Sequence, residues 1–313
     1  MALLARKKAI YLGLESTYAT EATIVGANVM DTENLSLNAI DGPVVQRNRD
    51  RPNLGGDARI PVGEFVSFSF EIPLAGSGTV DVAPKYAPAL EMCGFDAPEI
   101  TVATDVEMDL IGASATIKSA TLWFEHDGQQ HKILGARGST EWRLSPGGLP
   151  RIVVTGQGLF VSPTSVAGLT PDYTGWQNEI AVNDANVPTC TLHGENVVVS
   201  DLSFNENAVV AYRNVINGEE VVLADWDFTG QITFDAPAIS VKDWFSVHRN
   251  ATVGTFQYIL GATAGAIVQV ACAVVQMQIT NTYGASPEGI SQLQANLFCL
   301  NTTPQKDFVL TTK

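Results

Sequence analysis

The chain has 313 residues, of which 45% are hydrophobic and only 16% charged, with 27 glycines and 15 prolines. This composition excludes a disordered chain and predicts a β-dominated protein long enough for two domains, because glycine and proline punctuate many short strands. The formal net charge of −15 argues against a nucleic-acid-binding protein, which needs a stripe of lysine and arginine to displace counterions from phosphates.

The cysteines and the apolar runs bear on the compartment. Cys93, Cys190, Cys272 and Cys299 lie far apart without a C-x-x-C pair, which is typical of buried thiols in a reducing compartment. The longest stretch of mainly small and apolar residues, 261–275, is too short and too polar to span a bilayer. We therefore predict no membrane partner.

The first predicted unit is an N-terminal arm over residues 1–33, which lack strong hydrophobic periodicity. Segments of this kind usually lie on a neighbouring molecule or stay mobile. We therefore expect an extended arm rather than a packed element.

Three arginines follow at period two. Arg47, Arg49 and Arg51 would place their guanidinium groups on one side of an extended segment. A solvated or inter-subunit strand face, where arginine pairs with the many carboxylates, is favoured over a DNA contact. With Arg213 in the second half, these residues are the predicted subunit-interface residues.

The clearest strand covers residues 66–72, where apolar and polar residues alternate. A short helix is predicted over 84–92, because Pro84 suits the first turn of a helix and Gly94 suits its stop. Strands over 116–125 and 130–134 should form a hairpin around the Asp-Gly turn at Asp127.

The second half is predicted to follow the same plan of strands, one helix and strands. Its helix should begin at Ser240 as N-cap, with Asp243 three residues later and Trp244 and His248 at helical spacing. Strands over 255–260, 266–275 and 292–300 are predicted to complete it.

A duplication explains this plan, because three segments of matching residue classes occur in the same order in both halves. The segments are 34–37, 44–48 and 67–73 in the first copy and 201–204, 209–214 and 231–237 in the second. We predict a first domain over 34–162, a linker rich in proline, threonine and glycine over 163–188, and a second domain over 189–313.

For each candidate chemical site, an ordinary structural explanation of the residues is stronger than a functional one. The polar group of Glu125, His126, Asp127 and His131 straddles a predicted turn, where polar residues are expected in any case. Asp105, Glu107 and Asp109, like Asp225 and Asp227, alternate on one strand face without a calcium-binding loop around them. We predict no catalytic, cofactor or metal site, and hence no enzyme.

Several short segments taken together resemble the major tail tube proteins of long-tailed, non-contractile phages in their two-domain form. The resemblance covers nearly the whole chain and is more marked in the first half. Its segments are 14–20, 26–28, 51–56, 71–78, 93–95, 131–138, 170–173 and 261–265.

The resemblance implies a mainly β protein of two tandem β-sandwich or barrel domains, each with one flanking helix. It implies self-association into rings, expected to be trimers with six quasi-equivalent domains, which stack into a tube for the genome. The implied partners are the tail terminator, tape measure and tail-tip proteins. The implied location is the virion tail, assembled in the host cytoplasm, with DNA passing through the lumen without specific binding.

Two other functions stay open at this point. A tail-tip or secretion-tube protein would share the fold but form single rings. A β-rich adhesin or ligand-binding module would show an aromatic-lined pocket and remain monomeric or small.

Overall fold

A computed structural model describes residues 3–112, 116–301 and 306–313 of the chain. Strands dominate this part of the chain, and its two α-helices are short, as the composition and the resemblance predict. The elements of the first half are β1 (Lys8–Leu14), a 3-10 turn (Gly26–Asn28), β2 (Val29–Met30), β3 (Glu33–Asp41), β4 (Val44–Gln46), β5 (Arg59–Pro61), β6 (Phe65–Pro73), α1 (Ala87–Glu91), β7 (Glu99–Thr101), β8 (Asp105–Met108), β9 (Ala120–His126), β10 (Gln129–Arg143), β11 (Arg151–Phe160) and β12 (Thr164–Ser165). The elements of the second half are β13 (Thr189–Leu192), β14 (Glu195–Asn196), β15 (Val199–Asn205), β16 (Val210–Val215), β17 (Gly218–Leu223), β18 (Thr229–Asp235), α2 (Trp244–Arg249), β19 (Val253–Leu260), β20 (Val268–Ala285), β21 (Ser291–Cys299) and β22 (Val309–Thr312).

In the first half, two antiparallel ladders share one long strand, β10. One sheet is an antiparallel ladder in the order β3-β6-β11-β10. β10 bends at a bulge between Leu134 and Arg137, and its first part pairs with β9, which continues to β1 and β2. Gly135 permits the bend, because its φ of +58° is a conformation that side chains with a Cβ rarely adopt.

The strands of the second half pair in the same order. β15-β18-β21-β20 form one ladder, and the first part of the long β20 pairs with β19, which continues to β13 and β14. Residues on one rung of the first ladder can be matched with residues on one rung of the second when β3 is aligned with β15 as in the match of 34–37 with 201–204. This alignment matches Ser67 with Thr229, two residues away from the sequence match of 67–73 with 231–237. The rung Asn38, Ser67, Gln157 and Arg137 corresponds to the rung Asn205, Thr229, Phe298 and Gln276.

The predicted N-terminal arm contains a packed strand. β1 pairs with β9 along its whole length, and Ile10, Tyr11 and Leu12 are buried. The expectation of an extended arm is therefore wrong for Lys8–Leu14. The sequence of β1 does not alternate between apolar and polar residues, because the strand is buried on both faces. Such alternation marks a strand with only one buried face.

Local patterns elsewhere predict the elements with shifts of a few residues. β6 buries Val66, Phe68, Phe70 and Ile72 on one face, as the alternation predicts. The Asp-Gly hairpin between β9 and β10 is confirmed, and Asp127 adopts the positive φ, +46°, that such a turn requires.

Both predicted helices form, but they are shorter than the patterns indicate. α1 begins at Ala87 rather than near Pro84, and α2 begins after Asp243, whose carboxylate accepts a hydrogen bond of 3.0 Å from the Ser246 backbone N–H. Ser240 is therefore not the N-cap. A charged carboxylate at the cap accepts a stronger hydrogen bond than a hydroxyl and also suits the positive end of the helix.

One hydrophobic cluster extends through both halves of the chain. At its centre Phe308 stacks on Phe228, with ring centroids 4.6 Å apart, and contacts Trp142 and Phe204 at 4.9 and 5.4 Å. Trp142 belongs to the first half, whereas the three phenylalanines belong to the second. The two halves are thus held together by fully buried aromatic packing.

Candidate assembly surfaces

The two ladders are joined by main-chain pairing between β10 and β15. Trp142 is opposite Phe204, and the Glu206 N–H donates to Thr140 O while the Leu144 N–H donates to Leu202 O, each at 3.0 Å. A strand of one half therefore adds to the sheet of the other, and the ladder runs β3-β6-β11-β10-β15-β18-β21-β20 without interruption.

Glu206 lies at this joint and is fully buried. Its Oε2 accepts hydrogen bonds from the Thr140 backbone N–H at 2.8 Å and from the Thr140 hydroxyl at 2.7 Å. Its Oε1 has no partner among the described residues. Burial outweighs the two hydrogen bonds and raises the pKa of Glu206 to about 8, so the side chain is mostly protonated at neutral pH.

Neither end of the joined ladder has a further strand partner within the described chain, although α2 lies beside one of them, where the Ile279 N–H donates to His248 Nδ1 at 2.8 Å. β3 has β6 as its one strand partner within the described chain. At the other end, residues 281–285 of β20 pair with β21 on one side, and no described strand pairs with their other side. In the matched register β3 corresponds to β15, and residues 281–285 of β20 correspond to the last residues of β10. These two counterparts pair with each other inside the chain.

The hairpin of β16 and β17, which we call the second hairpin, lies against the first half. Tyr212 stacks on Phe65 with ring centroids 4.9 Å apart, and its backbone N–H donates to Gln157 Oε1 at 2.9 Å. The Arg137 guanidinium donates to Val221 O at 2.8 Å, and the Val221 side chain is fully buried. The second hairpin is therefore seated on the β10–β11 face.

The matching hairpin of the first half, β4 and β5 with the connection between them, we call the first hairpin. Its paired residues are all exposed. Val44 and Val45 keep 55% and 53% of their surface accessible, and Leu54 at the tip is fully exposed. An apolar hairpin in water is typical of a surface that a partner covers.

The predicted interface arginines lie on these two hairpins. Arg47, Arg49 and Arg51 fall in the connection after β4, so the expected strand face is not formed there. The run Pro52 to Gly56 contains proline and glycine, which interrupt strand pairing, and Asp57 binds both the Arg49 N–H and the Arg51 guanidinium at 3.0 Å. Arg213 lies on β16 and pairs with Glu220 across the second hairpin at 2.7 Å.

The charge of the first hairpin differs from that of the chain. Residues 44–61 contain four arginines and two aspartates, in a protein whose net charge is −15. On the second half, Asp225 and Asp227 are exposed at the base of the second hairpin. Counted back two residues from the matched pair Ser67 and Thr229, Asp227 takes the place of Phe65, on which Tyr212 stacks.

The groups considered for chemistry have structural partners. Lys306 pairs with Glu107 and, at 2.8 Å, with Asp109, so these carboxylates are neutralised by a lysine. His126 and His131 both contact the Phe124 ring. Within the described residues no group of three or more His, Cys, Asp or Glu side chains is arranged to hold a metal ion.

Sequence reasoning missed the surfaces that join strands. The pairing of β10 with β15 leaves no local signal, because Glu141, Trp142 and Arg143 read like any other part of a long strand. Glu206 could have been noticed as a carboxylate that follows the segment 201–204, but its burial depends on the joint. Among the described helices, none has the length and apolar character needed to cross a membrane.

Comparison with known proteins gives one family match. A family model described as phage tail tube protein matches residues 5–297, nearly the whole chain. No curated protein matches the chain in sequence.

Proposed function

The chain belongs to the phage tail tube protein family, and from that premise we propose that its copies join edge to edge into rings that stack as the hollow tube of a phage tail. In this role the protein is structural and performs no catalysis. Its place is the virion tail, and assembly takes place in the host cytoplasm.

The joint between β10 and β15 carries this proposal. Its two sides recur at the open ends of the ladder, as residues 281–285 of β20 and as β3. Pairing of β20 in one copy with β3 in the next would repeat the joint between molecules. Because the two surfaces differ, the contact is heterologous, and it closes a ring when the rotation allows.

Ring closure has a physical reason in this chain. An open strand edge presents unpaired N–H and C=O groups and invites uncontrolled aggregation. Closing the ladder on itself satisfies both edges and leaves no template for further pairing in the plane of the ring.

We propose three copies per ring, with the two halves of each chain acting as a duplicated domain. The matched order and register of the two ladders support the duplication, with domains over 34–162 and 189–313 and a linker over 163–188. Since Lys8–Leu14 pairs with β9 of the first half, part of the proposed arm over 1–33 belongs to the first domain.

The tube is proposed to conduct DNA without binding it. DNA carries about one negative charge per 1.7 Å, and carboxylates lining a bore would repel it within roughly 8 Å at physiological salt. We therefore expect a net negative inner surface. The proposed partners are the terminator and tail-tip proteins at the two ends and the tape measure protein inside.

Light scattering and negative-stain electron microscopy of the purified protein test the proposal. We expect a ring unit with three times the 33.4 kDa mass of one chain, and stacked hollow tubes at high concentration. Discrete rings that never stack would instead favour the tail-tip function. A monomer at all concentrations would contradict ring assembly.

A further inference from the structure

We propose that the first hairpin docks on the second half of a neighbouring copy, beside Asp225 and Asp227, and that arginine–aspartate pairing holds it there. This inference rests on the proposed function, because it needs a second copy of the chain. The docking is a second contact between copies, separate from the strand joint and with its own chemistry.

The seated second hairpin is the template for this contact. Tyr212 lies over Phe65 and bonds to Gln157, and an added Cβ at Gly63 would lie 3.1 Å from the Asn214 amide and 3.3 Å from the Tyr212 ring. The second hairpin therefore fills a defined place on the first half. The second half has a matching place. Asp225 and Asp227 correspond there to Gly63 and Phe65. On the neighbouring strands, Phe298 corresponds to Gln157 and Gln276 to Arg137.

No element of the described chain occupies that place, and the first hairpin is the element that corresponds to the second hairpin. In the second hairpin Tyr212 is opposite Val221, and in the first hairpin Gln46 is opposite Arg59. Arg47 follows Gln46 just as Arg213 follows Tyr212. Docking in the same pose would bring Gln46 over Asp227 and Arg59 beside it.

The chemistry of the two contacts differs in a complementary way. Inside the chain, an aromatic ring of the second hairpin meets an aromatic ring of the first half. Between chains, a hairpin with four arginines and two aspartates would meet two exposed aspartates. In the matched pose Gln46 replaces Tyr212, Arg59 replaces Val221 and Asp227 replaces Phe65. The contact therefore changes from mainly apolar to polar and charged, which would discriminate the neighbouring copy from the chain's own first half.

The same contact explains one exposed apolar residue of the first hairpin, Val44. Its counterpart in the seated hairpin, Val210, is partly buried, whereas Ala211, the counterpart of Val45, is exposed there. Covering Val44 would remove from water an apolar surface that nothing in the described chain covers.

A charge exchange tests the proposal, with assembly of the full chain followed by light scattering against protein concentration. Arg59→Glu and Asp227→Arg should each raise the concentration for half-assembly about tenfold, as expected for one lost or reversed interfacial charge pair. The double variant should return to within about threefold of the wild type. Lys85→Glu, an equal charge change at an exposed residue outside both hairpins and the strand joint, should have no effect.

The outcomes separate this inference from the ring itself. If the wild type assembles and Arg59→Glu behaves like Lys85→Glu, or the double variant is no better than the single ones, the docking site is wrong while ring assembly stands. If the wild type never assembles, ring assembly fails and the docking fails with it. Rescue in the double variant supports the docking, because a general loss of folding would not be repaired by a second reversal.

Discussion

Glu206 makes the joint between the halves sensitive to pH. The folded protein keeps the carboxyl proton up to a pKa of about 8, whereas the ordinary value is 4.5. Between these values the unfolded chain has lost its proton and the folded chain has not. The contribution of Glu206 to the free energy of unfolding is therefore complete below about pH 4.5. It falls as the pH rises, by about 1.4 kcal/mol per pH unit.

The size of the effect follows from the two pKa values. By pH 7 the loss is about 3 kcal/mol, and above pH 8 it levels at about 5 kcal/mol. Glu206→Gln keeps the shape of the side chain and an oxygen for the two bonds from Thr140, but cannot ionise. We expect the variant to be more stable than the wild type at pH 8 and to lack the decline.

Urea unfolding from pH 4.5 to 8.5, below the assembly concentration, measures this difference. Tryptophan fluorescence follows the unfolding, and Trp142, one of five tryptophans, lies at the joint, where its indole N–H donates to the Thr140 hydroxyl at 3.1 Å. Glu141→Gln, on the partly exposed side of the same joint, is the control and should keep the wild-type decline. Equal pH dependence in the Glu206→Gln variant and the wild type would refute the buried, protonated carboxyl.

Two further substitutions test the packing. Phe308→Ala should cost about 3–5 kcal/mol in urea unfolding, because it opens a cavity among four buried aromatic rings; a loss below 1 kcal/mol would mean that the ring is not central. Gly135→Ala should cost more than Gly147→Ala, because both have positive φ but only at Gly135 would the new Cβ fall 2.7 Å from the Tyr18 ring. Gly147→Ala, the control, measures the conformational cost alone, about 1 kcal/mol. Equal losses of stability in the two variants would exclude the clash with Tyr18.

Periodicity and turn residues predict the parts of this fold that depend on local sequence. The alternation through Phe68 and Phe70 predicts β6, and the Asp-Gly dipeptide at Asp127 predicts the turn between β9 and β10. The repeated order of segments indicates two similar halves, because a strand and its partner keep their residue classes wherever the same pairing recurs.

Features that depend on distant residues were not accessible from the sequence. β1 escapes periodicity because both of its faces are covered, and the arginine alternation after Gln46 misleads because the strand ends there. Strand pairing between β10 and β15 depends on a fold of the whole chain, in which residues about 60 positions apart become neighbours.

A paired-cysteine experiment tests most directly whether the joint inside the chain recurs between chains. Glu141 and Asn205 face each other at a closely spaced pair of the joint, and their matched counterparts are Asn281 and Asn38. With oxidised glutathione as oxidant, Glu141→Cys with Asn205→Cys should close within one chain. Asn38→Cys with Asn281→Cys should link separate chains into covalent dimers and trimers, seen on a non-reducing gel and lost on reduction. The account is contradicted if the first pair closes while the second pair leaves only monomers under the conditions in which the protein assembles.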